Sequence, residues 1–148
     1  AAAGAGRRMT LSAADRLGIL DVITRADRAA SDRDADAYVR LFTEDAVLDG
    51  TQGRHAGRDA LRASVGPVWA AEGPATLHLT LSPVVEAHEQ GAITRSYLLI
   101  IDPAPPITIR TLAGITQTLI QQNGLWLISS RTVAPVPEQA PVPGQTGP

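Results

Sequence analysis

Residues 75–100, ATLHLTLSPVVEAHEQGAITRSYLLI, decide the fold class, because apolar and polar side chains alternate along them on both sides of one turn. A period of two is typical of β-strands, whose successive side chains point to opposite faces of a sheet. One face of the first strand carries three leucines, and the other carries Thr76, His78 and Thr80. His78 either lines a pocket or meets water, depending on which face is concave.

The remaining chain predicts an α+β domain in which helices pack on one face of a sheet. Three helices are expected first: 12–31 after a capping box, a short one from about residue 34, and 57–71, which Gly66-Pro67 should end or kink. A brief strand is predicted at 46–50. The long antiparallel strands are predicted at 75–87, 92–101, 107–122 and 125–133, the last two joined by an Asn123-Gly124 hairpin turn.

Composition limits the partners of the protein. The chain has 148 residues, 44% of them hydrophobic, a formal net charge of −2 and no cysteine. The basic residues form no stripe, so no nucleic-acid partner is expected, and no stretch is long and apolar enough to predict a membrane span. We expect a disordered segment at 1–11, one domain at 12–133, a Pro-rich disordered tail at 134–148, and a cytoplasmic protein.

Three segments in order resemble the SnoaL-like branch of the nuclear transport factor 2-like superfamily. They are ADAYVRLFTEDAVLDG (35–50), GRDALRA (57–63) and the strand pair at 75–100. The resemblance implies a cone, in which three N-terminal helices pack on a curved, mostly antiparallel sheet around an internal pocket. It also implies a homodimer, since members of the superfamily commonly pair through the sheet.

Members of the superfamily differ in activity, so the resemblance has to be tested residue by residue. Scytalone dehydratase-like enzymes use a histidine on the strand that matches 75–83, where this chain has His78. Their helix carboxylate aligns with Ser31, one residue from Asp32. Their second histidine falls near Asp102, which could replace it only as a charged partner.

Two other catalytic sets of the superfamily match less well. The base and the protonated acid of ketosteroid isomerase-like enzymes fall on Gly50 and Gln117. The Arg-x-Asp of limonene epoxide hydrolase-like enzymes falls on Arg95-x-Tyr97, and their further aspartate falls near Arg131. Neither set is therefore complete in this sequence.

The resemblance favours a small-molecule enzyme that performs proton transfer without a metal or organic cofactor, as a dehydratase, isomerase or cyclase. His78 would be the acid/base and Asp27 or Asp32 its orienting partner. The ligand would be a small apolar or hydroxylated molecule. No metal is expected, because the three histidines lack ligand spacing. The candidate substrate-binding residues are Tyr38, Arg95, Tyr97, Trp69 and Asp102. The alternative is a ligand-binding or assembly module of the same fold without catalysis.

Overall fold

Helices and a single six-stranded sheet make up the computed structural model of the protein, which describes residues 10–136. The elements are α1 (Ala13–Ser31), α2 (Ala35–Val39), β1 (Phe42–Gly50), β2 (Gly53–Ala56), α3 (Arg58–Glu72), β3 (Leu77–His88), β4 (Gly91–Asp102), β5 (Thr108–Gln122) and β6 (Leu125–Pro135). The α+β cone expected from the sequence is therefore confirmed. The four long predicted strands correspond to β3 to β6.

Helix α1 begins at the predicted capping box. The Asp15 backbone N–H donates to the Ser12 hydroxyl at 3.0 Å, and the Ser12 N–H donates to the Asp15 carboxylate at 2.9 Å. These bonds satisfy two backbone donors that have no partner within the helix. Buried residues at helical spacing, among them Ile19, Ile23 and Ala30, then fix the face of α1 that packs on the sheet.

The sheet has the strand order β2-β1-β6-β5-β4-β3 and is mixed. Strand β1 runs parallel to β6, and every other neighbouring pair is antiparallel. The register of β3 against β4 shifts between Leu81 and Val84, and the register of β4 against β5 shifts between Ile100 and Ile101, where β5 carries the extra residue. Such bulges bend strands, which suits a curved sheet with helices on its concave side.

The two faces of β3 settle which side of the sheet is concave. Leu77, Leu79 and Leu81 are 36–42% exposed, whereas His78 is 7% exposed and Thr76 is 1% exposed. The polar face of the strand is therefore the buried, inner face of the sheet. Helices α1 and α3 cover it and supply its polar partners. The leucines form part of the outer surface.

Gly66-Pro67 does not end helix α3, which was one of the two effects predicted for it, and the predicted span of 57–71 is matched to within one residue at each end. The helix continues to Glu72, with Pro67 inside it. A proline disfavours the helical conformation of the residue before it, largely through that residue's Cβ. Gly66 has no Cβ, so the helix loses one hydrogen bond and continues.

Several boundaries also differ from expectation. Residues 53–56, for which the sequence analysis predicts no element, form strand β2 against β1. Strand β6 extends to Pro135, into the segment predicted to be disordered, and Leu11 is buried. The rest of the predicted disordered segments, 1–9 and 137–148, lies outside the described residues. No helix between residues 10 and 136 has the length and apolar character needed to cross a membrane.

Candidate functional site

A pocket of about 330 Å³ lies between α3, the β1–β2 hairpin and the inner face of the sheet. Most of its wall is apolar, with Val65 and Val68 from α3 facing Leu98 and Ile100 from β4. Its polar side chains come from several elements. They include Tyr38 from α2, His55 from β2, Ser64 and Glu72 from α3, His78 from β3 and Arg131 from β6.

His78 and Glu72 form a close pair in the pocket wall. The imidazole Nε2 lies 2.6 Å from the Glu72 carboxylate oxygen Oε2, and the two side chains are 7% and 13% exposed. A carboxylate bound to one ring nitrogen sets the tautomer of a histidine and leaves the other nitrogen for proton transfer. This arrangement can act as a general acid/base.

Local sequence explains how the pair forms. Leu61, Val65 and Trp69 are the buried residues of α3, at a spacing of four, and Glu72 follows Trp69 by three residues on the same face. The inner face of β3 begins a few residues later. A glutamate at the C-terminal end of α3 therefore meets a histidine near the start of β3.

Arg33 helps to hold the Glu72 carboxylate in position. Its guanidinium lies 3.9 Å from Glu72 Oε2 and donates to the Gly73 carbonyl at 2.8 Å and to the Thr76 hydroxyl at 2.5 Å. The Thr76 hydroxyl lies 3.5 Å from the same carboxylate oxygen. These contacts hold the end of α3 against β3 and orient the carboxylate toward His78.

Asp27 binds Thr80 and makes no hydrogen bond to His78. Its two carboxylate oxygens accept the Thr80 backbone N–H at 2.7 Å and the Thr80 hydroxyl at 2.9 Å. Burial raises the pKa of Asp27, while the Arg131 charge, the bonds from Thr80 and the charge of His78 act in the opposite direction. Asp27 therefore links α1 to β3, and it lies beside the pocket wall.

Tyr38 and Trp69, two of the candidate substrate-binding residues, line the pocket. Their rings pack edge to face with centroids 5.4 Å apart. Burial raises the pKa of Tyr38, the Arg131 charge lowers it, and the charges of Asp27 and Glu72 raise it further. The phenol is therefore a neutral hydrogen-bond donor in the neutral pH range.

The remaining predicted site residues lie away from the pocket. Arg95 and Tyr97 are exposed on the outer face of β4, where Arg95 binds Glu86 at 3.1 Å. Asp102 binds the Ala104 N–H and Arg110 at the end of β4, and these bonds lower its pKa. Asp32 is the exposed C-cap residue of α1. The register of β4 places odd-numbered side chains outside, so Arg95 and Tyr97 cannot set the polarity of the pocket.

Several polar pocket residues were not among the site candidates predicted from the sequence. Glu72 could have been found from its helical spacing to Val65 and Trp69, but the predicted helix ended at residue 71, one residue before it. Arg131 is on the inner face of β6, two residues from Val133, which also lines the pocket. His55 also lies at the pocket wall, on strand β2.

The cone with a largely apolar pocket on its inner face is the architecture that the resemblance to the nuclear transport factor 2-like superfamily implied. A family model described as a SnoaL-like domain matches residues 11–132, so the chain belongs to the SnoaL-like family. No curated protein matches the chain.

Solved structures share the fold at low sequence identity. A protein of unknown function with a cystatin-like fold from Nostoc punctiforme has a TM-score of 0.80 and 22% identity, over 88% of this chain and 97% of that one. An NTF2-like protein from Novosphingobium aromaticivorans has a TM-score of 0.74 and 20% identity, over 86% and 85%. Aln2 from a Streptomyces species has a TM-score of 0.77 and 15% identity, over 86% and 94%. At these identities the likeness concerns the fold alone.

Proposed function

We propose that the protein is an enzyme that moves protons on a small, largely apolar or hydroxylated molecule without a metal or organic cofactor. The observation that carries this proposal is the 2.6 Å contact between His78 Nε2 and Glu72 Oε2 in the wall of an apolar pocket. A dehydratase, an isomerase and a cyclase all need a group that can accept and donate a proton. A cytoplasmic location, expected from the sequence, belongs to the same proposal.

In this mechanism the Glu72 carboxylate accepts the Nε2–H of His78. The Nδ1 lone pair then removes a proton from carbon next to a carbonyl group, and the carboxylate stabilises the imidazolium that forms. Tyr38 donates its hydroxyl proton in a hydrogen bond to the substrate oxygen on which negative charge develops. The imidazolium returns the proton to a different atom or to a leaving hydroxyl group.

The roles of Asp27 and Asp32 change within this proposal. Glu72 takes the place of the orienting carboxylate that the sequence assigned to one of these aspartates, because it alone of the three is hydrogen-bonded to His78 among residues 10–136. Asp27 then acts as a structural support of β3.

Exchange of carbon-bound hydrogen for deuterium tests the proposal without knowledge of the net reaction. A panel of hydroxylated aromatic and polyketide-like ketones is incubated with the protein in D₂O, and incorporation is followed by NMR. We expect exchange above the buffer rate for members of the panel. His78→Gln, whose amide can still bind Glu72, should lower that rate by about 100-fold or more. Glu72→Gln should lower it by a smaller factor.

His88→Gln is the matched control, because His88 is exposed on β3 far along the strand from His78. It should exchange like the wild type. An unchanged rate in His78→Gln would remove the proposed mechanism.

The second candidate is a ligand-binding or assembly module, which the mostly apolar pocket wall favours. Compounds that bind the pocket tightly but exchange no hydrogen above the buffer rate would support this candidate over the enzyme.

A further inference from the structure

Arg131 is a buried positive charge that the described part of the chain does not pair. Its side chain lies in the pocket wall and the residue is 5% exposed. Between residues 10 and 136, no carboxylate lies within 4.0 Å of its guanidinium, and no hydrogen bond to it is formed. Burying a charge costs a large free energy unless an opposite charge or hydrogen bonds compensate it.

The neighbouring carboxylates are already engaged elsewhere. Both oxygens of Asp27 accept hydrogen bonds from Thr80, and Glu72 binds His78 and faces Arg33. The Asp27 and Glu72 carboxylates therefore act on Arg131 only over distances longer than that of an ion pair. A counter-charge in direct contact with Arg131 must therefore come from outside these residues.

Tyr38 holds the guanidinium in a position that keeps its donors available. The central carbon of the Arg131 guanidinium lies 5.8 Å from the centre of the Tyr38 ring, which is a cation–π distance. Contact with the ring face uses none of the five N–H donors of an arginine. The guanidinium is thus oriented in the pocket while its hydrogen-bonding capacity stays unused.

Further unpaired polar groups lie beside Arg131 on the inner face of the sheet. Gln117 is directly opposite Arg131 in the register of β5 and β6, and Thr94 is directly opposite Gln117 in β4. Both residues are fully buried. The amide atoms of Gln117 and the hydroxyls of Thr94 and Ser96 have no partner among the described residues. None of these three residues lines the pocket, so they extend the buried polar row beside Arg131, and Arg131 is the member of this row that reaches the ligand space.

We propose that Arg131 binds the carboxylate of the ligand, and that the ligand is an organic acid with an apolar body. A guanidinium offers two parallel N–H donors that match the two oxygens of a carboxylate. The apolar body would lie against Val65, Leu98 and Ile100. The inference deepens the proposed function and rests on it for the position of the reacting carbon beside His78.

Two probes of the same shape test the charge preference. Naphthalene-2-carboxylate and naphthalene-2-carboxamide differ in charge but hardly in size, and their affinities are measured by calorimetry. The wild type should bind the carboxylate at least about tenfold more tightly than the amide, the difference that one charged hydrogen-bonding partner supplies. Equal affinities, or no binding of the carboxylate at millimolar concentration, would overturn the proposal.

Arg131→Met removes the charge and keeps a long apolar side chain. It should abolish the preference for the carboxylate and leave the affinity for the amide nearly unchanged. Arg95→Met is the matched control, since Arg95 is an exposed arginine on the outer face of the same sheet; it should keep the preference. An Arg131→Met variant that still prefers the carboxylate would contradict the proposal.

A spectroscopic readout keeps the test valid if Arg131→Met does not fold. In the wild type, the carboxylate should shift the arginine Nε–H resonance that is missing from the spectrum of Arg131→Lys, and the amide should not. If addition of the carboxylate probe does not shift this resonance, the proposal is contradicted.

His78→Gln separates this inference from the proposed function. It should bind the carboxylate with wild-type affinity although hydrogen exchange is lost. If the wild-type protein prefers the carboxylate but exchanges no hydrogen, the enzyme mechanism is wrong and the anion site remains. If the wild-type protein exchanges hydrogen but shows no charge preference, the anion site is wrong and the enzyme mechanism remains.

Discussion

Asp27 and Glu72 both lie next to strand β3, but their carboxylates bind different groups. Glu72 meets an imidazole that can carry a proton, whereas Asp27 meets the backbone and hydroxyl of Thr80. The contact between Glu72 and His78 supports proton transfer, whereas the contact between Asp27 and Thr80 supports the packing of α1 on β3. The residue type alone does not separate these roles, because the difference comes from which inner side chain of β3 each carboxylate reaches.

Asp27→Asn should change how stability depends on pH. Burial raises the pKa of Asp27 in the folded protein, so the folded state binds more protons than the unfolded state between the ordinary and the raised pKa. The free energy of unfolding must fall as pH rises through that window. Relative to wild type, Asp27→Asn should therefore gain stability from acid to neutral pH. Urea unfolding between about pH 3 and pH 8 measures this.

Asp102→Asn is the control with the opposite sign. Hydrogen bonds lower the pKa of this half-buried carboxyl, so its contribution to stability is present above the ordinary pKa and is lost as pH falls through the lowered one. The wild type should gain stability over Asp102→Asn as pH rises. Parallel profiles for Asp27→Asn and wild type would contradict the role of burial at Asp27.

At the scale of the elements, most strands could be predicted from alternation and the Asn123-Gly124 turn. The helical spacing of α1 and its capping box were also sufficient. The span of α3 was predicted to within one residue at each end, although the proline did not end it. The predicted helix stopped at residue 71, so Glu72, the next residue, was not considered as a pocket residue.

The contact between β4 and β5 depends on a glycine at the start of β4. A Cβ added at Gly91 would lie far inside contact distance of the carbonyl oxygen of Leu119, which is backbone and cannot rotate away. Gly91→Ala should therefore lower the free energy of unfolding by about 1–3 kcal/mol, as overpacking does. Thermal or urea unfolding measures the change.

Gly114→Ala is the matched substitution in the same sheet. Its Cβ would meet the Ala134 carbonyl oxygen at 3.7 Å, an ordinary contact. The variant should stay within about 0.5 kcal/mol of the wild type or be slightly more stable. If both variants lose the same stability, the close approach at Gly91 is not the cause.

At the scale of the whole molecule, the outer face of the sheet carries large apolar side chains. Leu77, Leu79 and Leu81 lie on β3, and Tyr97 lies opposite Leu81 on β4. All four are 36–49% exposed. Apolar patches of this kind on a protein surface commonly mark an interface. The residue expected at the substrate, Tyr97, would then belong to contacts between subunits.

We expect the protein to form a homodimer through this outer face, as the sequence resemblance implied. Leu79→Glu should shift it to the monomer, because two buried carboxylates would meet or lie unpaired at the interface. Leu125→Glu, at the β5–β6 turn, is the control that should remain dimeric. Sedimentation velocity gives the two masses, and a monomeric wild type would contradict the expectation.

The side chains that join α1 to β3 have a consequence for aggregation. Strand β3 is at one edge of the sheet, where free N–H and C=O groups could template a strand from another chain. Ser31 accepts the His78 N–H, Asp27 accepts the Thr80 N–H, and Arg16 donates to the Val85 carbonyl. Helix α1 thus occupies this edge with three side chains. Because α1 also carries part of the core, any opening that releases it would expose β3 as a template for a strand of another chain.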